Sequence, residues 1–134
     1  MRLRVAGLVI ALGAFGLLLV AAGLRPSEDG HGTHTQMGLA PCPWVVRWDF
    51  PCPSCGMTTA FAYAANGDLV TAGATQPFGT LLALIAAVAG WGGLHTGIAG
   101  VNPARLIRGG TGVRVTIVVI SLFLGAWAYK MIVW

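Results

Sequence analysis

Three cysteines and two histidines are concentrated in one polar stretch of the 134-residue chain. Cys52 and Cys55 form a Cys-x-x-Cys pair, Cys42 lies upstream of them, and His31 and His34 come before it. Thiolates at this spacing, together with an imidazole, are typical ligands of tetrahedral zinc sites. A dithiol of this kind can also exchange disulfides. The stretch therefore predicts either a metal site or a redox-active dithiol.

The metal interpretation places Cys42, Cys52, Cys55 and one histidine around Zn²⁺ as a Cys₃His set. His34 is the preferred fourth ligand because the short connection after it can bring its ring back to Cys42, and His31 is the second choice. The pair of cysteines lies at the entry to a predicted helix, where free backbone N–H groups and the helix dipole favour thiolate. This interpretation predicts a structural zinc ion, no catalytic residue, and a loop organised to face a partner or the lipid.

Two other interpretations of the cysteines stay open. In a thiol-disulfide oxidoreductase, Cys52 or Cys55 attacks a disulfide of a partner, and Cys42 acts as the resolving thiol. In an oxidising compartment, Cys52 could instead form a disulfide with Cys42 or Cys55 that only staples the loop. The three interpretations differ in whether the cysteines are occupied by metal, cycle between two states or stay oxidised.

Hydrolytic chemistry is poorly supported. Asp49 and Asp68 are the acids nearest to the cysteines, and the sequence contains no evident Ser-His-Asp set or phosphate-binding glycine loop. On these grounds, the sequence does not favour a conventional hydrolase. The residues favour a non-enzymatic protein and leave thiol exchange as the alternative activity.

The composition indicates a membrane protein. Hydrophobic residues make up 56% of the chain and charged residues 9%, with a mean hydropathy of +0.77, which leaves too few polar side chains to cover a soluble globule. Residues 5–24, 78–101 and 113–134 are apolar runs of about 20 residues, the length that crosses a bilayer as a helix. The predicted fold is an all-α membrane protein with three transmembrane helices and one long loop that carries the cysteines and histidines.

The arginines predict the orientation. They precede the first span and crowd the 102–112 connection, as expected for cytoplasmic segments of a multi-pass inner (plasma) membrane protein. Residues 25–77 then form an extracytoplasmic loop. Because the basic residues are scattered along membrane boundaries, they predict contact with the lipid bilayer and no nucleic-acid partner. Arg2 and Arg4 precede the first span, Arg105 and Arg108 lie in the connection, and Arg114 lies at its boundary with the third span.

A cleaved signal peptide is the alternative to a first transmembrane helix. The basic start and the small residues at 21–23 fit a signal peptide, but the apolar run at 5–24 is longer than the roughly 7 to 15 residues of a signal-peptide core. The length favours an uncleaved span. The loop stays on the same side of the membrane in both cases.

Within the loop, a short interfacial helix is predicted from Cys55 to Asn66, because apolar residues recur there at helical spacing. Asn66-Gly67 is expected to end it, and Asp68 to cap a short turn after it. The preceding stretch at 44–50 is rich in aromatic residues and is predicted to be hairpin-like and to lie in the outer interface.

Two features of the second and third spans concern packing. Gly93 and Gly97 form a G-x-x-x-G pair that permits close contact between helices, within the chain or with a membrane partner or second copy. At the end of the third span, Lys130 is expected to extend to the headgroups, among the aromatic residues Trp127, Tyr129 and Trp134 of an outer belt.

The run Cys52-Pro-Ser-Cys55-Gly-Met-Thr-Thr-Ala60 resembles the C-P-x-C-G-x-T-x-A core of small bacterial membrane proteins grouped as domain of unknown function 2752. The resemblance extends from the lead-in at His34 through Asn66-Gly67-Asp68-Leu69 and Gln76-Pro77, over about residues 34–101. It implies membrane residence in a bacterium and a cysteine site, and it supplies no reaction. The chain departs from the family at Thr59, where many members carry arginine, so this position provides no cation beside the cysteines.

Overall fold

A computed structural model describes residues 1–100 and 112–134, and every regular element in those ranges is helical. Three of the helices are long and apolar enough to cross a membrane, which confirms the predicted all-α fold with three candidate spans. The remaining elements are short helices between the first two spans. In chain order the elements are α1 (Arg2–Gly23), a 3₁₀ helix (Thr33–Met37), α2 (Pro43–Trp48), α3 (Met57–Ala65), α4 (Leu69–Thr75), α5 (Pro77–Ala99) and α6 (Gly112–Ile132).

The long helices agree closely with the three apolar runs. Helix α5 begins where Gln76 caps it, since the side-chain Oε1 of Gln76 accepts a hydrogen bond of 2.6 Å from the backbone N–H of Gly79. Pro77 takes the first helical position, where the missing N–H has no consequence. The predicted cytoplasmic connection at 102–112, with Arg105 and Arg108, lies almost entirely outside the described residues.

Helices α1 and α5 form the most extensive contact between two elements. Their backbones approach so closely that a Cβ atom added to Gly7 would lie 2.7 Å from the carbonyl oxygen of Gly93. One added to Gly93 would lie 2.6 Å from the carbonyl oxygen of Gly7. The predicted close helix contact of the G-x-x-x-G pair is therefore made within the chain, against α1.

The segment between α1 and α5 folds back over one end of the bundle. There α3 packs against α1, α4 and α5. The side chain of Asp68 caps α4 by accepting a hydrogen bond of 3.0 Å from the N–H of Thr71, which confirms the predicted cap. The helix continues to Thr75, beyond the short turn that was expected.

The hairpin-like conformation predicted for 44–50 is wrong. Residues Pro43–Trp48 form α2, and the chain leaves this helix through Asp49 in a left-handed conformation with φ 46°. The physical reason is that Pro43 occupies the first turn, where its fixed φ favours a helix, and aromatic side chains are compatible with both conformations.

Candidate metal centre

The three cysteines come together at the start of two loop helices. Cys42 immediately precedes α2, whereas Cys52 and Cys55 lie in the turn before α3. The Sγ atoms of all three lie within 4.8 Å of one another. The Sγ atoms of Cys52 and Cys55 are 3.0 Å apart, and those of Cys55 and Cys42 are 3.7 Å apart. The fold therefore joins the Cys-x-x-Cys pair to the third cysteine, as the sequence predicted.

A tight turn holds the Cys-x-x-Cys pair in place. The N–H of Cys55 donates to the carbonyl oxygen of Cys52 at 3.0 Å, and the N–H of Cys52 donates to the Sγ of Cys55 at 3.2 Å. Gly56 ends the turn with φ +83°, a left-handed conformation in which a side chain is strained. A Cβ at Gly56 would also lie 2.7 Å from the carbonyl oxygen of Gly30. Glycine is thus required at this position both by backbone conformation and by space.

The two cysteines of the pair differ in their protonation. Burial acts to raise the pKa of Cys52, but hydrogen bonds from Cys55 and Ser54 outweigh it and lower that pKa below its ordinary value. Burial and the hydrogen bond to Cys52 raise the pKa of Cys55 far above the ordinary range. Without a metal, the half-buried Cys52 therefore loses its proton more readily than the buried Cys55. The expected preference for thiolate agrees with the lowered pKa of Cys52 and is reversed by the raised pKa of Cys55, where burial disfavours the charged form.

A cavity of about 870 Å³ adjoins the cysteines. Its lining combines the polar loop with apolar side chains from the end of α1, among them Leu17, Val20 and Leu24. Both predicted histidines, His31 and His34, also line it. The thiols therefore face a space that can admit a metal ion, a further ligand or a reactive partner group.

The two histidines line the same cavity as the thiols. Their ring nitrogens, however, do not lie within 4.8 Å of all three Sγ atoms. The Nε2 atom of His34 is 3.2 Å from the carbonyl oxygen of Ala40. The Nδ1 atom of His31 is 3.0 Å from the carbonyl oxygen of Asp29, and its ring packs on Trp134 with the centroids 4.7 Å apart. His34 as the fourth ligand stays a prediction, and so does His31 as the second choice.

Lys130 is the site residue that the sequence analysis missed. Its side chain is only 5% exposed, so the prediction that it extends to the headgroups is wrong. The ammonium Nζ donates to the carbonyl oxygens of Gly30 and Thr75, each at 3.3 Å. The loop covers this end of α6, so the Lys130 side chain is enclosed by the loop. One feature of the sequence could have indicated this: Lys130 lies near the end of the third span that was predicted to be on the same side of the membrane as the cysteine loop.

Thr59 is fully buried. Its hydroxyl is 2.8 Å from the hydroxyl of Thr33, a bond that ties α3 to the 3₁₀ helix. A cation near the Cys-x-x-Cys turn is contributed by Lys130, from a different element of the fold.

Comparison with known proteins yields one match. Residues 42–90 match the family described as "Protein of unknown function (DUF2752)", which confirms the resemblance over a narrower segment than the sequence motifs suggested. This segment contains all three cysteines together with α3, α4 and the first half of α5. No curated protein and no solved structure matches the chain.

Proposed function

We propose that the protein is a bacterial inner-membrane protein whose extracytoplasmic loop is organised by a structural zinc ion. Cys42, Cys52, Cys55 and His34 are the proposed ligands. The observation that supports the proposal is the convergence of three thiols, one from the start of α2 and two from the turn before α3, to within 4.8 Å. A zinc ion would fix α2 relative to α3 and so shape a surface of the loop for a protein partner or for lipid.

The sulfur positions are close to those that zinc requires. With Zn–S bonds of about 2.3 Å in a tetrahedron, two sulfur ligands lie about 3.8 Å apart. The separation of 3.7 Å between Cys55 and Cys42 fits this geometry. The separation of 3.0 Å between Cys52 and Cys55 is shorter, and a small rotation of the half-buried Cys52 side chain would widen it.

The contact of His34 supports its proposed role. A carbonyl oxygen can only accept, so the Nε2 of His34 donates to Ala40. This leaves Nδ1 with the free lone pair that a metal ligand needs, and metal-bound histidines commonly donate their other N–H to a backbone carbonyl. Rotation of the loop that carries His34 into the cavity would complete the tetrahedron.

Elemental analysis of the detergent-purified full chain, together with counting of free thiols, tests the proposal. We expect one zinc per chain and thiols that react only after chelation. Cys42→Ser, Cys52→Ser, Cys55→Ser and His34→Ala should each release most of the metal, because three ligands leave a weaker site. His31→Ala is the matched control and should retain it. A preparation without metal in which two of the three cysteines are disulfide-linked would overturn the proposal.

Thiol exchange is the second candidate, favoured by the 3.0 Å between the Cys52 and Cys55 sulfurs and by the lowered pKa of the more accessible Cys52. Cys52 would attack a disulfide of a partner protein, forming a mixed disulfide and releasing one partner thiolate. Cys55, after losing its proton, would then displace the second partner thiolate, leaving a Cys52–Cys55 disulfide and a reduced partner.

The two candidates respond differently to substitution. For thiol exchange, Cys55→Ser should trap the mixed disulfide through Cys52, and His34→Ala should have almost no effect. For the metal site, His34→Ala should release metal, and Cys55→Ser should trap no partner. Non-reducing electrophoresis and metal content of the same preparations separate the two.

A separate experiment tests on which side of the membrane the cysteine loop lies. We propose from the distribution of arginines that the loop is extracytoplasmic. A membrane-impermeant thiol reagent should therefore label the cysteines of intact spheroplasts after reduction and removal of metal. Labelling that requires disruption of the inner membrane would place the loop on the cytoplasmic side or show that the thiols are inaccessible.

A further inference from the structure

The end of α6 carries a buried ammonium group, that of Lys130, whose burial the proposed metal ligands do not by themselves explain. Lys130 reaches from a predicted membrane span into the loop, where it is 5% exposed and donates to two backbone carbonyls. Removing an ammonium group from water is costly unless an anion compensates it, because carbonyl dipoles replace only part of the lost hydration. An anionic partner is therefore expected nearby.

The Cys-x-x-Cys turn brings thiols, which can ionise, into the neighbourhood of this ammonium. A Cβ added to Gly56, the residue after Cys55, would lie 3.4 Å from Nζ, and one added to Gly30 would lie 3.2 Å from it. The ammonium thus occupies a notch formed by two glycines directly beside the Cys-x-x-Cys turn. Within residues 1–100 and 112–134, no carboxylate accepts a hydrogen bond from Lys130.

We propose that Lys130 is the counter-cation of a three-thiolate divalent metal site, an inference that rests on the proposed metal function. Three thiolates around a divalent ion carry a net charge of −1, which the lysine brings to zero when the fourth ligand is neutral. A monovalent ion on the same thiolates would leave an uncompensated negative charge in a poorly hydrated place, where charges are weakly screened. The neutral assembly therefore specifies both a divalent ion and a neutral fourth ligand, such as a histidine.

Lys130 acts through the charge that it places beside the Cys-x-x-Cys turn, and it is a positioning residue, not a ligand. Because it belongs to α6 while the cysteines belong to the loop, the arrangement links metal occupancy to the docking of the third span. Loss of the metal would allow the cysteines to take up protons, so the negative charge near the ammonium would no longer be fixed, and the loop would be held less firmly on α6.

Competition of the purified full chain against a zinc chelator tests this inference with four variants. Lys130→Met should weaken zinc binding by about 10- to 100-fold, the usual cost of losing a residue that supports metal ligands. Lys130→Gln, which keeps a hydrogen-bond donor and loses the charge, should weaken it to a similar degree. Lys130→Arg keeps the charge and should retain most of the affinity. Tyr129→Phe is the matched control, since it removes a 2.9 Å hydrogen bond from the same turn of α6 to the loop carbonyl of Ala74 without changing any charge.

The outcomes separate the possible roles of Lys130. If Lys130→Gln binds zinc as tightly as the natural chain, or if Tyr129→Phe loses as much affinity as Lys130→Met, the lysine is a hydrogen-bonding clasp and the inference is overturned. If helicity or melting temperature shows that Lys130→Arg disturbs the fold, Lys130→Gln and Lys130→Met still decide. An equal loss of zinc affinity in these two variants supports an effect of charge, and retention of affinity by Lys130→Gln overturns it. Absence of metal in the natural chain would overturn the proposed function itself, whereas metal binding that is unaffected by Lys130→Met would overturn only the role of Lys130.

Discussion

Two contacts hold the protein together by different means. One joins α1 to α5, and the other joins α6 to the loop. At the first, two glycine-bearing backbones meet directly, with no room for an added carbon at Gly7 or Gly93. At the second, α6 makes few contacts with α5 and instead reaches the loop with polar atoms at its end. The donors are Trp127, Tyr129, Lys130 and Trp134, and their acceptors are the carbonyl oxygens of Pro51, Ala74, Gly30, Thr75 and Asp49.

The difference shows how a small membrane protein separates packing from chemistry. The interface of α1 and α5 depends on shape, because helices in lipid gain little from burying apolar surface and associate through close packing. The contact of α6 with the loop depends on individual hydrogen bonds, each of which has a modest value. We therefore expect single changes in the first region to act on the whole bundle, and single changes in the second region to act on the loop and its cysteine cluster.

The largest effect is expected at Gly93. A methyl group there would lie 2.6 Å from the carbonyl oxygen of Gly7 and 2.9 Å from the N–H nitrogen of Ala11, so Gly93→Ala should separate α1 from α5. We expect a destabilisation of about 3 kcal/mol, the upper end for overpacking, in denaturant unfolding of the detergent-solubilised protein. Gly92→Ala, on the same helix with open space at its Cβ position, is the control and should be neutral or stabilising. Equal unfolding of both variants would mean that the close approach is unimportant.

A smaller and more local effect is expected at Gly56. Gly56→Ala combines the strain of a left-handed residue, about 1–2 kcal/mol, with a clash against the carbonyl oxygen of Gly30. Gly67→Ala has nearly the same backbone conformation, φ +88°, with nothing within 4 Å of the added carbon. The difference between the two variants in zinc affinity isolates the clash. If both retain zinc equally, the notch beside the cysteines is less rigid than the structure indicates.

The next effect concerns the indoles at the end of α6. Trp127→Phe removes the donor to the carbonyl oxygen of Pro51, a fully buried residue, over a bond of 3.1 Å. We expect a cost of about 1–2 kcal/mol, because a buried carbonyl left without a donor is not rehydrated. Trp134→Phe removes an exposed bond of the same length to Asp49 and should cost less. Hydrogen exchange of the loop amides would measure both, and a larger opening in the Trp134 variant would contradict this order.

The smallest effect is expected at the cap of α4 and depends on pH. The hydrogen bond from Thr71 lowers the pKa of Asp68 below its ordinary value. A depressed pKa in the folded state means that the ionised cap stabilises α4 above the ordinary aspartate range and that this stabilisation is lost as the pH falls through the lowered pKa. Amide exchange at the start of α4 should therefore accelerate in acid. Asp68→Asn keeps a capping side chain without titrating and should abolish that pH dependence; an unchanged profile would exclude Asp68 as its source.

Local chemistry explains which features could be predicted from the sequence. The three spans follow from apolar runs of membrane length, and the cap at Asp68 and the start of α5 at Pro77 follow from residues within one helical turn of each other. The Cys-x-x-Cys pair is likewise local, because its turn is closed by its own backbone. The stretch at 44–50 was predicted wrongly because aromatic residues suit more than one conformation, and its neighbours decide between them.

What the sequence determined by itself is a three-span membrane protein with a cysteine-rich loop, since length, hydropathy and motif spacing are properties of continuous segments. Only the tertiary structure decided that Gly93 meets Gly7, that the pKa of Cys52 is lowered while that of Cys55 is raised, and that Lys130 is buried beside the Cys-x-x-Cys turn. These features join residues that are far apart in the chain, and the free energy of a buried charge or a close backbone contact depends on the surroundings that folding creates.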